Sequence, residues 1–365
     1  MRINGQAFRT IWQVDAGGDV AVIDQTLLPF AFEVRTLRRV EDAATAIRDM
    51  VVRGAPLIGV TTAYGVALAL REHPGDDSLA AAIETLVATR PTAVNLRWAA
   101  ERMRRTVAVL PPGERAARAY AEAAAIAEED VASCAAIGRH GLGLLRQLAH
   151  GKDGERINVL THCNAGWLAC VDWGTALAPV YAAHAAGLPV HVYVDETRPR
   201  SQGAFLTAFE LGAHGVPCTV ITDNAGGYLM QQGEVDVCIV GSDRTTAAGD
   251  VANKIGTYLK ALAARDNGVP FYAAVPFSTI DWTLDDGVHE VPIEERSARE
   301  VTHVRGRAPD GKLEEVEVVA PGTRVRNPGF DVTPARLVTG IITERGVAAA
   351  SRAGLAALYS GHERH

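Results

Sequence analysis

The chain has 365 residues, long enough for two domains and a large core. Its 48% hydrophobic and 22% charged residues fit an ordinary water-soluble globular protein, and a formal net charge of -7 leaves no overall basic field to hold nucleic acid or an anionic membrane. Aromatic residues are only 6%, too few for a base-stacking platform, so any anion must be held locally by a few arginines and backbone amides.

Met1-Arg2-Ile3-Asn4-Gly5 contains no apolar core of a signal peptide, and charges or glycines break every apolar stretch, so neither a leader nor a membrane span is expected. Cys134, Cys163, Cys170, Cys218 and Cys238 are odd in number and form no CxxC pair, which suits a reducing cytoplasm and argues against a disulfide or zinc framework.

Between Thr10 and Arg35 the pattern predicts two or three short extended runs, at 21–24 and 32–34 among them. From Val40 to Leu148 it turns helical, punctuated by Gly54, His73-Pro74-Gly75 and Pro111-Pro112-Gly113. Arg53-Gly54-Ala55-Pro56 places Pro56 as the first residue of a helix, where free amides beside an arginine can hold an anion; read alone, a plain inter-helix turn with a solvated arginine is the stronger reading. Arg90, read alone, is a surface arginine ahead of a helix cap.

After Gly151 short β-branched runs at 156–161, 189–194, 217–222, 235–240 and 270–275 alternate with helical segments, which predicts an α/β fold with a mostly parallel sheet. The turn-rich Lys152-Asp153-Gly154 sets the joint, giving an N-terminal β/helical domain at 1–150 and a Rossmann-like domain at 151–365. The polar stretch 285–321 is read as an excursion with a hairpin at Asp310-Gly311, and the tail 360–365 as frayed.

In open α/β sheets ligands bind at the loops that follow the strand C-termini. One such loop is Thr161-His162-Cys163-Asn164-Ala165-Gly166; another is Gly241-Ser242-Asp243-Arg244. Cys163 falls where a strand meets a helix N-terminus, whose positive end would lower the thiol pKa. Most cysteines are simply small buried apolar residues, and Cys170, Cys218 and Cys238 read that way. His162 would point to the opposite face of the strand, so no Cys–His dyad forms. A third loop, 195–203, carries two acids, two arginines and Gln202 and favours binding over a solvated turn. Asp243 could be a turn or cap residue and Lys254 an exposed helix residue; near a second helix start, Asn253 and Lys254 could instead hold a phosphate. No P-loop, GxGxxG or HExxH motif is present.

Taken together, RGAPLIG (53–59), RPTAVNL (90–96), THCNAG (161–166), DETRPRSQGAFLTAFEL (195–211), GSDRTTAAGDVANKIGTY (241–258), FYAAVPFSTID (271–281) and NPGFDVTP (327–334) resemble the methylthioribose-1-phosphate isomerase family, relatives of the regulatory subunits of the translation initiation factor 2B exchange factor. The stretches are collinear and span nearly the whole chain. The resemblance implies a small N-terminal β element with a helical bundle, a Rossmann-like C-terminal domain, usually a homodimer, and cytoplasmic methionine salvage. It implies substrate binding by Arg53, Gly54, Ala55, Arg90, Gln202, Asn253 and Lys254, and catalysis by Cys163 and Asp243 without cofactor or metal. Trp167 stands where many relatives carry a small side chain and is expected to reshape the pocket near the sugar's C5 substituent.

In the family reaction an aldose 1-phosphate becomes a ketose 1-phosphate. Because the anomeric oxygen is phosphorylated, a group must protonate the ring oxygen as the C1–O bond breaks; Asp243, kept protonated by burial, suits this. Cys163 suits the C2-to-C1 proton transfer, or polarisation of the C2 oxygen if a hydride moves instead. Open alternatives are a related isomerase for 5-deoxyribose 1-phosphate or ribose 1,5-bisphosphate, with Arg198, Arg200 or Arg244 as a second phosphate site, and a non-catalytic regulatory subunit. A thiol hydrolase lacks a histidine partner for Cys163.

Overall fold

The structure, a computed structural model, describes residues 1–3, 5–90, 93–152 and 154–359. The tail 360–365, read as frayed, lies outside the described residues, as do Pro91, Thr92 and Asp153.

β1 (Arg2–Ile3) and β2 (Gln6–Ala7) pair briefly, and β3 (Ile11–Gln13), β4 (Val20–Ile23) and β5 (Val34–Leu37) form an antiparallel sheet with β4 central. The run expected at 32–34 thus starts two residues later. Five helices follow: α1 (Val40–Arg48), α2 (Ala55–Glu72), α3 (Asp76–Val87), α4 (Val94–Val107) and α5 (Pro112–Ala149). α2 is apolar on all sides, every residue from Leu57 to Leu70 is buried, and it packs against the other four. A helix apolar all round belongs at the centre of a bundle. Pro56 is its second residue, not its first, where a missing N–H still costs nothing.

The second half alternates as the sequence predicts: β6 (Ile157–Thr161), α6 (Ala178–Ala185), β7 (Val190–Asp195), α7 (Ala208–His214), β8 (Cys218–Ile221), α8 (Ala225–Gln231) and β9 (Val237–Val240). β10 (Arg244–Thr246) and β11 (Val251–Lys254) then lead into α9 (Thr257–Asp266), β12 (Phe271–Ala274) and β13 (Ile280–Asp281). The polar excursion holds two single-turn helices, α10 (Gly287–Glu290) and α11 (Arg299–Thr302), and the expected hairpin, β14 (His303–Arg307) with β15 (Leu313–Glu317). β16 (Phe330–Thr333), β17 (Gly340–Thr343), β18 (Gly346–Ala348) and α12 (Arg352–Tyr359) complete the described chain.

The main sheet runs β18-β17-β12-β9-β6-β7-β8 and is parallel throughout except for β18. Helices cover both of its faces, which is why β7 and β9 are buried at every position. A smaller sheet, β13-β10-β11-β16, stands beside the C-terminal ends of β6 and β9. Among the described residues no helix is long and apolar enough to cross a membrane.

Candidate active site

β6 ends at Thr161, and the chain turns sharply at Cys163, whose φ of 68° lies in the left-handed region. Local hydrogen bonds hold this turn. The Cys163 N–H donates to Thr197 Oγ1 at 2.8 Å, the Thr207 hydroxyl donates to the Cys163 carbonyl at 2.7 Å, and Asn164 Nδ2 donates to Thr207 Oγ1 at 3.1 Å. Thr207 ends a π-helical turn (Gly203–Thr207) that also carries the residue after Gln202, the kind of helix irregularity that recurs at functional sites.

Arg53 reaches over from the bundle and grips Asn164 with two nitrogens, one on its side-chain oxygen and one on its carbonyl at 2.8 Å. Gly54, with φ of 95°, then starts α2, and a Cβ there would lie 2.5 Å from Ala169. Only glycine permits both that backbone conformation and that approach. The helix start is thereby pressed against the Cys163 loop.

A small cavity of about 30 Å3 lies at this junction and is lined by Arg53, Gly54, Ala55, Cys163, Asp243 and Asn253, among others. Ala55 and Asp243 are shared with a second cavity of about 40 Å3, which adds Arg90, Arg244 and Phe330. Arg53 is shared with a third, of about 420 Å3, which adds Gln202. Lys254 lies nearby, its ammonium on the Gly329 carbonyl at 2.8 Å and 4.5 Å from the centre of the Phe330 ring. The structure therefore brings Arg53, Gly54, Ala55, Arg90, Cys163, Gln202, Asp243, Asn253 and Lys254 to one connected region.

Two buried polar atoms here, Arg90 Nε and Gln202 Oε1, have no hydrogen-bond partner. Buried polar groups are nearly always satisfied, and both residues line cavities, so the two atoms suit a polar ligand.

Several expectations are corrected. No helix N-terminus follows Cys163: the loop passes through a 3-10 turn (Trp167–Ala169), and the next helix starts only at Ala178. Burial pushes the Cys163 thiol up, not down, with Arg53 and Lys254 pulling against that shift. The helix start that faces the thiol belongs to α2. Asp243 is half-buried instead of enclosed. Trp167 lines none of the three cavities; it is wholly buried in the core that also holds Leu28 and Leu206, behind the wall of the large cavity.

Lys254 is a buried strand residue, against the exposed-helix reading, and burial lowers its pKa while Cys163 and Asp243 hold it up. His162 behaves as expected. It turns away from the thiol, with Nδ1 2.8 Å from Asp195 and Nε2 2.8 Å from the Ile255 carbonyl.

Two groups of metal-capable side chains occur among the described residues, Asp130 with Cys134 and Cys170, and His162 with Asp195 and Asp223. Several of their atoms are already engaged within the protein: Asp130 accepts the Val171 N–H at 2.7 Å, and His162 bonds as above. Neither group includes a residue of the small cavity.

Several contributors lie within or beside the motif stretches but had no role assigned from sequence. Asn164 appeared only as part of a turn, although it is the anchor for Arg53. Glu210 lies fully buried beneath the loop, accepting from the Leu168 N–H and the Tyr181 hydroxyl at 3.1 Å each. A ladder of alternating charge joins Arg90 to Glu294 at 3.2 Å, Glu294 to Arg296 at 2.7 Å, Arg296 to Glu300 at 2.7 Å and Glu300 to Arg200 at 3.0 Å. It links the walls of the second and third cavities through the segment read only as a polar excursion.

The sequence profile of the Initiation factor 2 subunit family matches residues 51–350. A methylthioribose-1-phosphate isomerase of Methylorubrum populi is 69% identical over 98% of this chain and 98% of its own, and one of Rhodospirillum centenum is 64% identical over 98% and 96%. Among solved structures, 5-methylthioribose 1-phosphate isomerase from Pyrococcus horikoshii OT3 superposes with a TM-score of 0.83 at 41% identity, covering 97% of this chain and 96% of that one. Subunit delta of translation initiation factor eIF-2B from A. fulgidus gives 0.79 at 38% identity, covering 97% and 100%.

Proposed function

We infer the activity from one premise: the chain belongs to the Initiation factor 2 subunit family, and along almost its full length it matches methylthioribose-1-phosphate isomerases. It is an aldose–ketose isomerase that converts 5-methylthioribose 1-phosphate to 5-methylthioribulose 1-phosphate. The observation that supports this over a purely regulatory subunit is the pairing of Cys163 with Asp243 across one small cavity, under the start of α2 and within the field of Lys254.

Arg53, the Gly54 and Ala55 amides, Arg90, Asn253 and Lys254 hold the phosphate and sugar hydroxyls, and Gln202 faces the sugar from the large cavity. Asp243 gives a proton to the ring oxygen as the C1–O bond breaks, leaving positive charge at C1. Cys163 as thiolate removes the C2 proton, forming the C1=C2 enol, and returns it to C1. The C2 hydroxyl then loses its proton to Asp243, leaving the ketone and restoring both side chains. The tight junction around Arg53 and Asn164 excludes water and fixes the geometry.

The burial of Cys163 favours a second reading of the middle step. A thiol held up by burial is a scarce base near neutral pH, and a C2 hydride could pass to the C1 cation while the thiol hydrogen-bonds the C2 oxygen. Turnover in deuterium oxide separates the two: deuterium at C1 of the product supports the proton route, and full retention of the C2 hydrogen supports the hydride.

Phosphorus NMR of the purified protein with 5-methylthioribose 1-phosphate tests the activity itself. Conversion by the wild type, lost in folded Cys163→Ser and Asp243→Asn, is expected; an inert, folded wild type would overturn the reading. The division into 1–150 and 151–365 and a homodimeric assembly belong to the same proposal.

A further inference from the structure

We propose that Glu300 makes this site selective for a sugar whose C5 substituent carries no charge, by neutralising Arg200 on the wall of the large cavity. The inference rests on the isomerase reading, which puts the C1 phosphate near Arg53 and Arg90 and so directs the far end of the sugar into the cavity that Arg53 and Gln202 share.

That cavity has two kinds of wall. Leu28, Met50, Phe205 and Leu206 are apolar, a surface onto which a thioether packs well. The remainder is polar or charged for the most part and contains Arg200, Arg299 and Arg305, three cations that could each hold a second phosphate. Each is engaged elsewhere. Arg299 pairs with Glu315 at 3.0 Å, and Arg305 donates to the Thr26 carbonyl and lies over the Phe30 ring.

Arg200 is the less exposed of the two ion-paired arginines, and among the described residues it pairs with Glu300. Glu300 is held in turn from behind: Arg296 donates to both of its oxygens and Asn327 Nδ2 donates to Oε2 at 3.0 Å. Burial opposes a charge on this carboxyl, but Arg296 and Arg200 bring it down to about 2, so it is an anion at every physiological pH. The far wall therefore offers a phosphate a fixed carboxylate beside its nearest arginine. Like charges juxtaposed in a partly buried site carry a heavy penalty, and selectivity against a competitor is commonly built from such repulsion.

The test compares binding of 5-methylthioribose 1-phosphate and ribose 1,5-bisphosphate by calorimetry, in the wild type, Glu300→Gln and Arg200→Met. The two sugars share the C1 phosphate, so the ratio of their Kd values isolates the substituent at C5. Removing the carboxylate charge in Glu300→Gln should shift that ratio toward the bisphosphate by at least about tenfold, which is about 1.4 kcal/mol. Arg200→Met, which leaves the acid in place, should shift it the other way, and it carries the test if Glu300→Gln does not fold. Ratios within about threefold of wild type in both folded variants would overturn the proposal. Binding needs no turnover, so an inert wild type would sink the isomerase reading while the charge rule was still being measured.

Discussion

Glu210 gives the sharpest test of how the Cys163 loop is supported. Its carboxyl has no exposure, takes hydrogen bonds from the Leu168 N–H and the Tyr181 hydroxyl, and presses on Gly166 so closely that a Cβ there would lie 1.2 Å from Oε1. Burial raises this carboxyl from an ordinary 4.5 to about 7, against the pull of those hydrogen bonds. Below pH 4.5 it is protonated in both folded and unfolded chains and costs nothing. Between 4.5 and 7 the unfolded chain ionises first, so the folded state loses stability as pH rises, and above 7 the loss levels off. At about 1.4 kcal/mol per pH unit, the gap comes to about 3 kcal/mol. Urea unfolding of wild type and Glu210→Gln from about pH 4.5 to about pH 8 measures it. The variant cannot ionise there, so its stability relative to wild type should climb by about 3 kcal/mol over that range, whatever constant offset the amide brings. A difference that stays flat with pH would refute a neutral carboxyl beneath the loop.

Other outcomes follow from the same contacts. Gly166→Ala should lower stability and activity together, because the new methyl meets Glu210; the Glu210→Ala double variant should recover part of the loss, and simple additivity in thermal melts would contradict this. If Cys163 acts as thiolate, kcat/KM should rise with pH toward and beyond the ordinary thiol value of 9.0, since burial holds the thiol up; a flat profile sides with hydride transfer. Lys254→Met should cut kcat/KM about 10- to 150-fold, the worth of one charge-assisted hydrogen bond of about 1.5–3 kcal/mol, and an unchanged value would remove Lys254 from the phosphate site. Light scattering on the eluting protein should give twice the chain mass, and a monomer mass would contradict the homodimer.

The architecture was legible because it depends on local periodicity. Apolar runs at 156–161 and 235–240 place β6 and β9 within two residues, and the all-round apolarity of 57–70 marks the central helix. The motif loops also fell where strands end. What failed was set by tertiary environment. Cys163 looked like a thiol at a helix start because strand and helix usually alternate closely, yet here a 3-10 turn intervenes and the packed walls raise its pKa instead. Lys254 looked like a solvated lysine until the Phe330 ring and the Gly329 carbonyl enclosed it. The two end rungs of the ladder, Arg90 to Glu294 and Glu300 to Arg200, join residues a hundred or more positions apart in sequence, a spacing that no local pattern announces.

α5 constrains how this molecule can move. Its 38 residues make a rod about 57 Å long. Ala119, Tyr120, Ala123, Ile126 and Ala127 on its first half are buried in the bundle core, while Ile137 and Leu145 on its second half are buried in the core of the parallel sheet. Gly138 and Gly141 let it lie directly on Ala178 and Pro179. One unbroken helix is thus mortised into both halves of the chain. Swinging the halves apart would bend the rod or strip apolar surface from one of the two cores, so α5 ties them together.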